Sequence, residues 1–328
     1  MEFRDLKQDA DRVLSTARQS PRRIALIYGA VALGVPLMLA VIGELLNMTI
    51  STGSGLSGMD ARAALDTAQV ALQIVSIVAM LFWAPGMIFA AFGYIRGEWV
   101  NGSYLPEGFR RFGAVLTSTI LIGVQYLVRI FASAYLSAIL VSLTPFATPV
   151  YKLSQMLKEN PNLDIFTANV EGLWMFYAAT AVVFVLVLGV LVVPVFYRYR
   201  MVPYIIMDGN GAGGLRAMLQ SRLMMYRRRR KLFRLDLSFW WFYVLEFVLG
   251  MLPMAYLLAQ WMKIQLPFSD DVAYWILQVV AAALQLGLYV LAKPKLEVTY
   301  ALCYQAFLEP EPIPVPKPQP PQNHPWNY

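Results

Sequence analysis

The sequence predicts an all-α integral membrane protein with six transmembrane helices. Of its 328 residues, 58% are hydrophobic and 14% are charged, whereas ordinary soluble domains carry roughly 25% charged residues. Six apolar runs reach the roughly 20 residues that a helix needs to cross the hydrocarbon core of a bilayer. They cover residues 24–46, 67–95, 112–143, 173–206, 237–262 and 272–302.

The loops between these runs alternate in their content of Lys and Arg. Six, three and eight cations fall in the segments 1–23, 96–111 and 207–234. One, two and one fall in the alternate segments 47–66, 144–172 and 263–271. Because cation-rich loops stay on the cytoplasmic side, both termini are predicted to face the cytoplasm. The expected location is the cytoplasmic membrane, crossed several times.

Residues 1–23 precede the first span and place Leu6, Val13 and Leu14 among charged residues. This pattern is typical of an amphipathic helix that lies along the headgroups, and an ordinary solvated helix fits it equally well. Acids and cations precede the first apolar run, so no cleavable signal is predicted and the first span is expected to remain.

The membrane domain is predicted to extend over residues 24–308. Several runs exceed the required length, which indicates tilt or kinks, and proline is the usual cause of a kink. The candidate positions are Pro85, Pro194, Pro203 and Pro253. The external segment 144–172 is long enough for a short helix around 151–158.

A three-fold repeat is a further hypothesis. A basic or amphipathic cytoplasmic segment is followed by two spans in 1–95, 96–206 and 207–302. Residues 107–112 would form the second of the short amphipathic cytoplasmic interfacial helices. The tail 309–328 contains eight prolines and is predicted to be disordered, with a motif for a proline-reading protein as the less favoured alternative.

The most basic segment is predicted to contact anionic lipids of the inner leaflet. Its cations are Arg216, Arg222, Arg227, Arg228, Arg229, Arg230, Lys231 and Arg234. Either this segment or the proline-rich tail could bind a protein partner. Nucleic acid is not expected, because the cations cluster at the ends of apolar runs.

Catalytic chemistry finds little support in the residue types. Cys303 is the single cysteine and His324 the single histidine, so no metal site, catalytic residue or cofactor is predicted. The segment 209–214 has the spacing G-x-G-x-x-G, but it follows a membrane helix where a nucleotide site needs a strand. It is interpreted as an exit turn, with a lipid phosphate at the following helix N-terminus as an alternative.

Charges inside the apolar runs are the stronger signal, because an unpaired charge at bilayer depth costs at least about 2.5 kcal/mol. Helical rise places Arg198, Glu246 and Lys293 at a similar depth in the inner leaflet. It also places Glu44 and Arg129 at a similar depth towards the outer leaflet. The first set is predicted to form a polar cluster. Its role is either structural, as paired charges or as cations that extend to the surface, or functional, as a transport pathway or a lipid-headgroup pocket. The second set is predicted to form a pair.

Five amides in the spans are predicted to form hydrogen bonds between helices, as is common in lipid. They are Gln69, Gln73, Gln125, Gln278 and Gln285. Lining a polar path is the less common use of such residues.

Two runs of residues carry a family resemblance. The runs 221–225 (SRLMM) and 231–239 (KLFRLDLSF) resemble the signature of the bacterial integral-membrane proteins of domain-of-unknown-function family 975. Arg227 stands where relatives usually have Gly, which predicts a more helical turn, and Phe242 stands where they have Trp. The resemblance implies a bacterial cytoplasmic-membrane protein and carries no established activity.

The leading functional hypothesis is a non-enzymatic membrane scaffold, lipid-handling protein or component of envelope assembly or export. The alternative is a transporter or channel that uses Arg198, Glu246 and Lys293. A lipid-modifying enzyme is the third and least supported class.

Overall fold

A computed structural model describes residues 3–53, 58–159, 172–209, 213–255 and 270–308, and the regular structure in these ranges is helical. Two single 3-10 turns occur at Gly102–Tyr104 and Pro145–Ala147. The α-helices are α1 (Phe3–Ser15), α2 (Pro21–Gly53), α3 (Gly58–Ile95), α4 (Glu107–Arg110), α5 (Phe112–Ser142), α6 (Thr148–Glu159), α7 (Leu173–Tyr199), α8 (Val202–Met207), α9 (Gly214–Met224), α10 (Arg229–Ser238), α11 (Trp240–Met251) and α12 (Asp270–Leu308).

Five described segments are long and apolar enough to cross a membrane. They are Pro21–Leu46, Ala63–Ile95, Phe112–Ser142, Leu173–Met207 and Val272–Leu308. The remaining predicted span, 237–262, contains α11, whose 12 residues rise only about 18 Å. Residues 256–269 lie outside the described ranges, and so does the tail 309–328. The structure therefore gives an all-helical protein with five candidate membrane helices.

Proline interrupts the helices at two of the four predicted positions. α3 continues through Pro85 and α7 through Pro194. A turn at residues 200–201 separates α7 from α8, which begins beside Pro203, and α11 ends just before a turn that contains Pro253. A proline lacks the N–H that would bond to the preceding turn, so each position allows a break but does not enforce one.

The long helices pack in two groups. α2, α3 and α12 pack against one another, and α11 packs on α12. α5 and α7 pack mainly on each other. The groups are joined where α8 contacts α3 and α9 contacts α5. We call this end of the bundle the base, and the opposite end, where α2 ends and α3 and α12 begin, the far end.

The buried hydrophobic core lies at the base. It combines residues of α3, the α7–α8 segment, α10 and the last turns of α12. The apolar face of α1 belongs to it, since Leu6 and Ala10 are buried and α1 packs on α12. α1 is therefore amphipathic as predicted, but protein covers its apolar face where headgroups were expected. Lys7 fixes α1 further by donating to the carbonyl oxygen of Ser238 at 2.9 Å.

Two glycines allow the chain between α3 and α5 to lie directly against α3. A Cβ atom on Gly86 would overlap the carbonyl oxygen of Leu105, and one on Gly108 would overlap that of Phe82. The short helix α4 is held here, with Phe109 and Phe112 beside the ring of Phe82 at 5.4 and 4.7 Å between centroids. The second predicted amphipathic segment is thus a single helical turn packed on α3.

The basic segment is helical along most of its length, where the sequence suggested a loop. α9 and α10 are separated by a turn in which Arg227 has φ 65°, a left-handed conformation that favours glycine. The prediction of a more helical turn here was wrong. Arg227 thus adopts a backbone conformation that glycine adopts more easily.

Candidate functional site

The base contains a largely buried ion pair on α12. Lys293 Nζ lies 3.1 Å from Glu297 Oε1, one helical turn apart. The hydroxyl of Tyr204, from α8, donates to Glu297 Oε2 at 2.8 Å. Glu297 is 7% exposed, so both its charge and its hydrogen-bonding capacity are satisfied by protein atoms.

Aromatic rings surround the other end of this pair. Lys293 Nζ lies 5.9 Å from the ring centroids of Tyr28 and Tyr289 and 6.0 Å from that of Phe242. These distances reach the limit for a favourable cation–π interaction. Tyr289 also donates its hydroxyl to Glu246 at 2.8 Å. Lys293 and Glu246 therefore share a neighbour on α12.

A second chain of polar groups runs from α7 to α10. Arg200 donates to the hydroxyl of Tyr243 at 3.1 Å, and that hydroxyl lies 3.0 Å from the hydroxyl of Tyr300. Tyr300 donates in turn to the carboxylate of Asp236. Burial raises the pKa of Asp236 above its ordinary value, and the nearby Arg200 opposes that rise. The chain ties three helices together at the base.

A third polar group closes the base beside α8. Asp208 accepts from Arg96 at 2.9 Å and from the hydroxyl of Tyr304 at 3.2 Å. It therefore links the end of α3 to the last turns of α12. Each of these three groups combines a cation with a carboxylate that accepts a hydrogen bond from a tyrosine hydroxyl. Such networks are suited to fixing helix positions.

The described residues contain no group of three His, Cys, Asp or Glu side chains that could hold a metal ion. Cys303 is buried, at 1% exposure, and His324 lies outside the described ranges.

Arg198 does not join the predicted inner cluster. Glu246 accepts from Tyr289, and no ion pair joins Arg198 to Glu246 within the described residues. The Nε of Arg198 is buried without a hydrogen-bond partner. Arg200, two positions later, contributes a partly buried cation to the base instead. The sequence contained a signal for Glu297, because a carboxylate four residues after Lys293 can pair with it along one helix face.

The predicted outer pair is also separated. Glu44 lies on α2, in the group with α3 and α12, whereas Arg129 lies on α5, in the group with α7. Arg129 donates to the carbonyl oxygen of Gln125 at 2.6 Å, within its own helix. Equal depth therefore did not bring these side chains into contact.

The eight cations of the basic segment divide into an exposed set and a partly buried pair. Arg228 and Arg229 are partly buried, and Arg228 donates to the carbonyl oxygen of Phe307. The other six side chains are exposed: Arg216, Arg222, Arg227, Arg230, Lys231 and Arg234.

Glycines at the two ends of the segment before α9 have structural roles. Gly209 has φ 95°, in the left-handed region. A Cβ atom on Gly214 would lie 2.6 Å from the carbonyl oxygen of Ala114, so this glycine lets α9 lie against α5. Residues 210–212 are outside the described ranges. The two glycines fit the predicted exit turn.

Apolar helices of membrane length around a neutralised polar base define a multi-pass helical membrane protein. The sequence profile described as protein of unknown function (DUF975) matches residues 1–308. The chain belongs to that family, as the runs at 221–225 and 231–239 suggested. Neither a curated protein nor a solved structure matches the chain significantly.

Proposed function

We propose that this protein is a non-enzymatic component of the bacterial cytoplasmic membrane that binds anionic lipid headgroups through its base. In this role it would serve as a scaffold, handle lipids, or assist the assembly or export of envelope components. The observation that carries the proposal is the outward surface of α9 and α10, where cations flank exposed apolar side chains. We call this surface the basic face.

α9 carries apolar residues on both of its sides. Its inner side packs through Ala217, Met218 and other buried residues. Its outer side presents three leucines spaced four residues apart, Leu215, Leu219 and Leu223, which are 60%, 53% and 76% exposed. On a helix this spacing forms one stripe, and the exposed Arg216 and Arg222 lie along its edges.

α10 continues the same pattern. Phe233 and Leu237 are exposed at 49% and 57%, one turn apart, and Arg230 and Arg234 are exposed on the same helix. Exposed leucines in water forgo about 25 cal/mol for each Å² that burial would remove. Insertion of the apolar stripe at the acyl boundary, with the cations among headgroups, satisfies both kinds of side chain.

The path of the chain supports a sixth crossing by residues 237–262. Asp236 and Ser238 are held at the base by Tyr300 and Lys7. The first turns of α12 lie at the far end, where Trp275 lines a cavity together with Glu44 and Gln69. About 39 Å of helix separates residues 274 and 300. Residues 239 and 270 therefore lie towards opposite ends of the bundle, as a sixth crossing would require.

The topology predicts that two introduced cysteines, tested one at a time, are accessible from opposite sides of the membrane. Because native Cys303 is buried, a membrane-impermeant maleimide should report introduced cysteines selectively. We expect Arg227→Cys to be labelled only after the membrane is opened, and Glu159→Cys to be labelled on intact cells. A cysteine added after Tyr328 should behave like Arg227→Cys if six crossings place both termini inside.

Labelling of Arg227→Cys on intact cells would overturn the inside location of the basic face. Labelling of the terminal cysteine alone on intact cells would leave that location intact and remove the sixth crossing.

The transporter alternative draws on Arg198, Glu246 and Lys293. The polar partners of Glu246 and Lys293 favour a structural role instead. Two cavities at the far end have volumes of about 460 and 660 Å³, and their linings contain none of these three residues. These observations support the lipid-binding proposal over a pathway through the buried charges.

Recurrence of short helices before pairs of apolar segments supports the proposed three-fold repeat.

Loss of two cations from the basic face is expected to weaken binding of anionic lipid. In the double variant Arg230→Gln with Arg234→Gln, each lost charge should cost about 1 kcal/mol near an anionic surface, or roughly thirtyfold together. Native mass spectrometry of the purified protein in micelles that mix phosphatidylglycerol with phosphatidylcholine would count the retained anionic lipids.

The matched control is Lys152→Gln with Lys158→Gln, which removes the same charge from exposed positions of α6. This control should retain lipid as the native protein does, and the difference should shrink as salt increases. Equal losses in both double variants, or no loss in either, would refute a specific lipid-binding role for the basic face.

A further inference from the structure

The far end contains a groove with a charged wall. The cavity of about 460 Å³ lies between α2, α3 and α12, and its polar lining residues are Glu44, Gln69, Gln73, Ser76, Tyr274 and Trp275. The cavity of about 660 Å³ adjoins it, because Glu44, Tyr274 and Trp275 line both. Small-molecule sites in proteins commonly occupy about 300–1,000 Å³, so the combined groove is large enough for a ligand with a head and a tail.

The two parts of the groove differ in polarity. On α3, Gln69, Gln73 and Ser76 succeed one another at helical spacing and form a polar stripe opposite Glu44. The second cavity is walled by apolar side chains, including Met48, Val279 and Val280. The carboxylate of Glu44 stands at the junction between the polar part and the apolar part.

Glu44 supplies a negative charge inside an apolar helix segment. Pro21–Leu46 has the length and hydropathy of a membrane span, and Glu44 lies near its end. Among the described residues, no Lys or Arg forms an ion pair with Glu44. A carboxylate beside the apolar part of a span favours a cation as its partner. Trp275 adds an aromatic ring, which favours a cation at close range.

We propose that this groove binds a cationic amphiphile: its ammonium headgroup pairs with Glu44, and its hydrocarbon chain lies along the apolar wall formed by α2 and α12. The charge of the groove selects this occupant. A phosphate or sulfate headgroup would face Glu44 with no described cation to offset the repulsion. The amides of Gln69 and Gln73 and the hydroxyl of Ser76 would satisfy any polar substituents beside the ammonium. The groove lies at the far end of the bundle. The basic face, which is proposed to bind anionic lipids, lies at the base.

The test uses the full-length protein in nanodiscs of neutral lipid. The probe is a dodecyltrimethylammonium derivative that carries a photoreactive diazirine in its chain, and peptide mass spectrometry locates the label. We expect labelled residues in the outer turns of α2 and the first turns of α12. Unlabelled dodecyltrimethylammonium should compete, whereas dodecyl sulfate and dodecyl maltoside should not.

Two variants separate charge from shape. Glu44→Gln keeps the side chain's size and should weaken competition by about tenfold or more, which corresponds to loss of one close ionic contact. Ala40→Phe leaves Glu44 in place but fills the groove, since Ala40 lines it, and should abolish labelling. Glu159→Gln, which removes an exposed carboxylate of α6, is the matched control and should label as the native protein does.

Three results would overturn the proposal. One is equal competition by the neutral or anionic amphiphile, which would indicate a groove selective only for chains. Another is unchanged competition in Glu44→Gln. The third is labelling of the native protein confined to α5 and α7, which would indicate contact with bulk lipid. The last result remains decisive even if Glu44→Gln fails to fold, because it comes from the native chain.

Discussion

Replacement of Lys293 by methionine is expected to destabilise the folded protein by about 3–5 kcal/mol. The change removes the cation 3.1 Å from Glu297 and leaves a carboxylate that is 7% exposed with only the hydroxyl of Tyr204. Removal of one partner from a buried ion pair is costly because the remaining charge stays desolvated. Methionine fills much of the space of the lysine side chain, so a cavity contributes little to the loss.

The double variant Lys293→Met with Glu297→Leu distinguishes lost charge from lost packing. Because neither residue then leaves a buried charge, its stability is expected to return to within about 1–2 kcal/mol of the native protein. Lys158→Met, at an exposed position of α6, is the control and should change stability by no more than about 0.5 kcal/mol. Equilibrium unfolding in mixed micelles, followed by tryptophan fluorescence, provides the measurement.

A double variant as unstable as the sum of its single changes would show that the pair has no coupling. The charges would then act independently, and the neutral double variant would offer no rescue. A stable Lys293→Met variant would show that the carboxylate reaches water despite its burial in the structure.

The sequence predicts the length of each membrane helix and the depth of each charge along it. It does not predict how the helix is rotated about its axis. Apolar run lengths located the five membrane helices, because each run must satisfy its backbone within one segment. Depth along a helix follows from a constant rise per residue, and Lys293 and Glu246 do lie beside a common tyrosine. Depth alone leaves the direction of a side chain around the helix open.

Arg198 illustrates this limit. Its calculated depth matched that of Glu246, but Glu246 accepts from Tyr289 whereas the buried Nε of Arg198 has no hydrogen-bond partner. Arg200 was not among the predicted residues, but it donates to the hydroxyl of Tyr243 and lies near Asp236. Glu44 and Arg129 show the same limit between helices, because residues at equal depth lie in different packing groups. Tertiary contacts of this kind have no local signal in the chain.

Direct contacts between backbones of different segments were equally hard to predict from the sequence. Gly86 stands inside a long apolar helix, where glycine costs about 1 kcal/mol relative to alanine. From the sequence alone, it resembles Gly123 in α5. The structure separates them: a Cβ atom on Gly86 would overlap the carbonyl oxygen of Leu105, whereas one on Gly123 meets nothing within 4 Å.

Alanine at these two positions is therefore expected to act in opposite directions. Gly86→Ala should destabilise the protein by at least about 1–3 kcal/mol, the usual cost of overpacking. The obstacle is backbone, which cannot rotate away as a flexible side chain would, and the segment 105–108 is held a second time where Gly108 meets Phe82. Gly123→Ala should leave stability unchanged or raise it by up to about 1 kcal/mol, through helix propensity alone.

Thermal unfolding of both variants in the same micelles would measure this difference, and Gly108→Ala should reproduce the loss seen for Gly86→Ala. A Gly86→Ala variant as stable as Gly123→Ala would mean that the segment 105–108 does not lie against α3. That outcome would also detach α4 from the base, since Phe109 and Phe112 contact Phe82 only through this approach. Small residues let the backbones of helices approach closely in a membrane protein. The position of α5 relative to the α2–α3–α12 group therefore depends in part on the glycines at positions 86 and 108.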